Sequence, residues 1–197
     1  MPSPSRTAML LLPLFLGGLA LSSNSCRPVG VPPPGPAGQR TAGPSTGITP
    51  SPPGTSASWK PANPTGGFLN WLNRVNNYRQ SIGVSQLAWH NGLASVAKVH
   101  TQDMIDDNYL SIVAPEGYDV FQMLVGANPP ISFSNAYATV YTCPVSWGSG
   151  QAFNSLLKDP GFKAAVSDPR WTHFGLGSIW SNGTSYFTMF LGQNVAP

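Results

Sequence analysis

The side chains able to do chemistry in this 197-residue chain are few: three histidines (His90, His100 and His173), two cysteines (Cys26 and Cys143) and seven carboxylates. An imidazole titrates close to neutral pH, so His100 or His173 paired with Glu116, in the loop Pro115-Glu116-Gly117, would form a relocated acid/base couple suited to hydrolysis. Packing offers a second explanation for each. His100 shares one helical face with Leu93, Val96, Ala97 and Met104. His173 opens an apolar run beside Trp171 and Phe174, His90 before Asn91 suits the first turn of a helix, and Glu116 suits a solvated loop.

Other patterns carry no chemistry. Ser95-Val96-Ala97-Lys98 fits S-x-x-K, in which lysine helps activate serine, but the partner motifs K-T-G and S-D-N are absent from the sequence. Gly148-Ser149-Gly150 is too narrow for the nucleophile elbow G-x-S-x-G. Cys143 has no local signature of a thiol hydrolase, and Asn182-Gly183-Thr184, although a glycosylation sequon, reads first as a turn.

Residues 1–25 read as a secretory signal: Arg6, an apolar run from Ala8 to Ala20, then small residues at Ser23-Asn24-Ser25. Pro13 and Gly17-Gly18 interrupt that run, which is shorter than the roughly 20 residues of a spanning helix. Cys26 follows at the position where a bacterial lipoprotein is acylated, which predicts a membrane tether through lipidated Cys26. Ordinary cleavage before Cys26 is the alternative, because Ser23 stands where such a box carries an aliphatic residue. An acylated or free Cys26 with a buried, inert Cys143 is preferred to a disulfide joining tail to domain. Residues 26–66, rich in Pro, Gly, Ser and Thr, cannot bury enough apolar surface to fold and predict a disordered tether. One domain over 67–197 remains, large enough to hold a core without a metal or a staple.

The net charge of +3 carries little meaning for partners, since Arg6, Arg27, Arg40 and Lys60 precede the domain. From Phe68 onward six basic residues face seven acidic ones, which argues against a nucleic-acid surface. Charged residues make up 9% of the chain, against about 25% typically, so Asn, Ser, Thr and Gln must wet the surface.

These residues need elements to hold them. Phe68, Leu69, Leu72, Val75 and Tyr78 recur at helical spacing and predict a helix ending near Gly83; Leu93 to Met104 predicts a second, and Tyr118–Val125 a short third. Ser155–Asp159 reads as brief helix. His173–Trp180 and Ser185–Leu191 flank Ser181-Asn182-Gly183-Thr184, a hairpin signal, and Ala136–Tyr141 supplies a third strand. Helices followed by a short antiparallel sheet make an α+β domain.

Within these elements, Leu72-Asn73-Arg74 with Tyr78-Arg79, then Leu87-Ala88-Trp89, then Leu93 through Met104, and last Phe174-Gly175-Leu176-Gly177 resemble the CAP superfamily (cysteine-rich secretory proteins, antigen 5, pathogenesis-related 1), especially its short bacterial SCP-like branch. The resemblance implies an α-β-α sandwich whose cleft often carries two histidines and two glutamates able to hold a divalent metal. At the matching places this chain reads Leu110-Ser111-Ile112, Ser134-Asn135 and Asp159-Pro160-Gly161-Phe162, so three expected ligands are replaced.

What the resemblance and these replacements imply is an exported, non-catalytic domain, secreted or at the cell surface, with no metal and no cofactor. It would bind, as a monomer, a small apolar or peptidic ligand or a cell-envelope component in a cleft lined by Ile112, Glu116, Ser134, Asn135 and Phe162. The relocated His/Glu hydrolase is one alternative. A structural role in the envelope is the other.

Overall fold

The structure, a computed structural model, describes residues 26–28 and 64–196 of the chain. The secretory signal read at 1–25 and most of the Pro-rich stretch lie outside the described residues. In chain order the elements are β1 (Arg27–Pro28), α1 (Gly66–Ser81), β2 (Ala88–Trp89), α2 (Asn91–Asp106), α3 (Val120–Val125), β3 (Asn135–Pro144), α4 (Ser149–Leu156), α5 (Pro160–Ser167), β4 (His173–Ser181) and β5 (Thr184–Gln193).

The strands form one mixed sheet in the order β1-β3-β5-β4-β2. β3, β5 and β4 pair antiparallel, as the alternating runs predict, and Asn182 and Gly183 turn the hairpin with positive φ of 48° and 76°. The edges were not predicted. β2 joins β4 in parallel through Ala88 and Trp89, and β1 joins β3 antiparallel through Arg27 and Pro28. Two residues are too short a run for any periodicity to mark them.

Alternation along the strands divides the core in two. Tyr141, Phe174, Leu176, Phe187, Met189 and Leu191 point to the face covered by α1, α4 and α5. Ala138 and Phe190 point to the other, where Leu93, Val96 and Ala97 of α2 and Met123 and Leu124 of α3 cover them. Helices thus flank the sheet on both sides. The Phe174-Gly175-Leu176-Gly177 run explains how α2 lies so close. A Cβ on Gly177 would stand 2.3 Å from the Ala97 backbone carbon, and one on Gly175 2.3 Å from Leu93 Cβ.

Arg79 closes the opposite layer. It is fully buried, and its guanidinium donates to the carbonyls of Ser85, Val166, Asp168 and Trp171 at 2.7–3.2 Å. One side chain thereby ties the end of α1 to the end of α5 and the approach to β4. The sequence suggests only a brief helix after Ser155, whereas two short helices occupy this region. Asp159 separates them: its carboxylate accepts the Phe162 amide at 2.7 Å and Pro160 opens α5.

The cysteines correct an expectation. Cys26 and Cys143 are joined by a disulfide, both sulfurs are buried, and the Cys26 amide donates to Ser155 Oγ at 3.2 Å. Cys26 has no thiol left to carry a lipid, so the tether through lipidated Cys26 is overturned. The physical reason is that β1 brings Cys26 onto the edge of β3, where Cα atoms 4.5 Å apart suit a bridge.

Candidate functional site

His100 lies on α2 between helix and sheet. Its Nδ1 is 3.0 Å from Thr188 Oγ1 on β5, and Thr101, whose hydroxyl donates to the Ala97 carbonyl, lies 3.0 Å from the same Thr188 Oγ1. Nε2 is buried without a hydrogen bond of good geometry among the described residues, although a backbone hydrogen bond with Ser111 acts on the ring. Burial lowers the pKa of His100 to about 4, while the Asp103 carboxylate and the Ser111 backbone pull the other way. At neutral pH the ring is uncharged.

Past His100, the end of α2 carries a group of acids and phenols. Tyr109 and Tyr118 both donate to Asp103 Oδ2, at 2.6 and 2.9 Å. Burial and that carboxylate push both phenols well above the usual range. Glu116 sits in the turn between Ala114 and Tyr118, closed by Gly117 N–H to Ala114 O and Ala114 N–H to Tyr118 O, each 2.9 Å. Asp107 is raised, first by desolvation and then by the charges of Glu116, Asp103 and Asp106. Sequence reasoning named Glu116 and missed the other carboxylates and both phenols. Their signal was available: five of the seven acids fall between residues 103 and 119, and no Lys or Arg occurs between Lys98 and Lys158.

The five residues expected to line one cleft are distributed. Ile112 is half-buried and packs on the α2/α3 side, next to Val113, which is 45% exposed. Phe162 is 2% exposed and packs against Tyr141 and Phe153 on the other side of the sheet. Ser134 and Asn135 stand where β3 begins: Asn194 donates to Ser134 Oγ at 3.1 Å and Asn135 donates to Gln193 at 2.7 Å. That corner is near the start of α2, since Leu93 Cδ1 approaches Gly192. The structure therefore brings Ile112 and Glu116 onto one loop and places Phe162 on the far face of the sheet.

The remaining histidines meet each other. His90 caps α2 by accepting the Leu93 amide on Nδ1 at 3.2 Å, and its ring lies edge-to-face on His173 with centroids 5.7 Å apart. His173 Nδ1 is 2.9 Å from Thr172 Oγ1. Burial lowers both pKa values, and for His90 the neighbouring His173 adds to it. Among the described residues no hydrogen bond joins Glu116 to His100 or His173. Nor does any group of three or more His, Cys, Asp or Glu among them converge as a metal site.

A profile of the cysteine-rich secretory protein family, CAP, matches residues 72–193. Among solved structures, the chain is similar to an extracellular protein containing an SCP domain from Bacillus anthracis, with a TM-score of 0.55 and 19% identity over 68% of this chain and 45% of that one. It is also similar to an outer surface protein from Borrelia burgdorferi, with a TM-score of 0.54 and 13% identity over 62% of this chain and 88% of that one. The chain thus spans less than half the length of the Bacillus protein. A search among curated proteins finds no match. At such identities the structural likeness speaks for the fold alone.

Proposed function

The chain belongs to the cysteine-rich secretory protein (CAP) family, and from that premise we propose that it is an exported binding domain that works without metal or covalent chemistry, taking a small apolar or peptidic ligand on the Leu110–Gly117 loop. Residues 1–25 act as the export signal and 67–197 as the binding domain in this reading. The Cys26–Cys143 disulfide supports export, because such bonds persist in oxidising compartments.

The observation that carries the reading is Ile112. The family resemblance sets it at the place of a metal-ligating histidine, and it packs against the apolar cluster beneath the loop while Val113 beside it faces solvent. An apolar floor with an exposed apolar lip favours a ligand with apolar groups over a hydrated ion.

Calorimetric titration with zinc and calcium ions, and fluorescence titration with an apolar reporter dye, separate the outcomes. Dye binding that Ile112→Asn or Val113→Ser abolishes is expected, with no stoichiometric metal uptake. Tight, stoichiometric metal binding lost in variants of this loop would overturn the proposal.

A further inference from the structure

We propose that His90 and His173 form an acid-sensitive clasp at the junction of β2 and α2: uncharged, the pair holds the first turn of the helix against the sheet, and protonation releases residues 88–92. The device is independent of what the Leu110–Gly117 loop binds.

The cap is its first part. His90 Nδ1 accepts the Leu93 amide at 3.2 Å, so that nitrogen is bare and the neutral ring carries its proton on Nε2. The first N–H groups of a helix have no acceptor within it, and His90 supplies the one for Leu93. A proton on Nδ1 turns this acceptor into a donor and sets two N–H groups against each other. It also places a positive charge at a helix N-terminus, against the dipole.

The neighbouring ring is the second part. His173 lies edge-to-face on His90 with centroids 5.7 Å apart, and both residues are half-buried. Two imidazolium ions at that separation repel, and partial burial limits the water that would screen them. The residues around the pair do not compensate. Trp89 on β2, Asn91 on α2, Ile131 against Gly92, Thr172 before β4 and Asn194 after β5 carry no charge, and His173 is the titratable group that acts on His90. Burial lowers the pKa of each ring, so folding favours the neutral forms. Stability from the clasp is therefore full above the ordinary value of 6.5 and declines as pH falls from there toward the lowered values.

The segment between the anchors is suited to local opening. Upstream, the Asn76 side chain pins Leu87, donating to its carbonyl at 3.0 Å and accepting its amide at 2.8 Å. Downstream, Leu93 is fully buried where α2 crosses Gly175. Between them β2 has two residues, and Ala88 N–H to Thr172 O and His90 N–H to Phe174 O, each 2.9 Å, tie the junction to β4. So short a seam opens without the rest of the sheet.

The test uses the full oxidised chain and amide hydrogen exchange followed by NMR at about pH 7.5 and about pH 5, expressed as protection factors to remove the intrinsic pH dependence of exchange. The His90 and Leu93 amides are expected to lose roughly tenfold protection or more relative to those of Val96 and Phe190, since a shift of one pKa unit corresponds to a factor of ten. Referring them to core amides separates the clasp from any global loss through His100. His90→Asn keeps a cap acceptor without a titrating ring and should abolish the local loss. His173→Gln should raise the pH at which the His90 ring titrates, read from its carbon shifts. Equal relative protection at the two pH values, or a fall that persists in His90→Asn, overturns the clasp. A His90 titration unchanged in His173→Gln overturns the part given to the pair.

Discussion

His100 Nδ1 and Thr188 Oγ1 stand 3.0 Å apart between α2 and β5, with both residues sealed from solvent. Burial holds this imidazole at about 4, against 6.5 in an unfolded chain. Between those values the unfolded state takes up a proton that the folded state refuses. Stability from this site is therefore full above pH 6.5, falls as pH drops through the window, and levels off below about 4. That span corresponds to roughly 3 kcal/mol. Urea denaturation across pH 4–7 should show the decline, and His100→Gln should make it shallower; an unchanged slope in the variant would place the dependence elsewhere, at His90 or His173.

Arg79 should be among the least replaceable residues. Arg79→Met strands the Ser85, Val166, Asp168 and Trp171 carbonyls and is expected to cost about 3 kcal/mol or more. Arg79→Lys should restore only part of this, because an ammonium cannot fork to four acceptors in the same plane. Denaturant midpoints of the two variants check the order.

Gly177→Ala tests the contact between α2 and β4. The new methyl would meet backbone atoms of Ala97 and Lys98 at 2.3 Å, and neither can move without shifting the helix. A loss of about 1–3 kcal/mol is expected, with NMR shifts spreading along α2 rather than staying in β4. Local shifts alone would count against this packing.

The disulfide closes a sequence separation of 117 residues. In the chain-entropy account, Cys143→Ser should cost about 4–5 kcal/mol. Intact mass spectrometry of the exported protein should find no free thiol and no acyl group; alkylation of either cysteine without prior reduction would contradict the bond.

Much of the fold could be read ahead from residues whose spacing repeats: Leu72 and Val75, Leu93 and Val96, and the Asn182-Gly183 turn each marked its element. Elements of two residues could not, and neither could the bond that holds one of them, because Cys26 lies in a stretch whose composition points away from structure. Asp159-Pro160 carried the signal of α5, a cap followed by proline, which a reading of hydrophobic period passed over. The site was less legible. Ile112 and Phe162 looked like two walls of one cleft because the family resemblance sets both at ligand positions, yet the sheet lies between them. The acids of 103–116 were visible as a run without counter-charges, but only folding brings Glu116 back beside Asp107.

The bond between Cys26 and Cys143 also changes the topology of what precedes the domain. Pro28 is held on the edge of β3 and Pro64 stands just before α1. Residues 26–28 are thereby an edge strand of the same sheet that α1 packs on, covalently clamped to β3, where the composition had pointed to a tail.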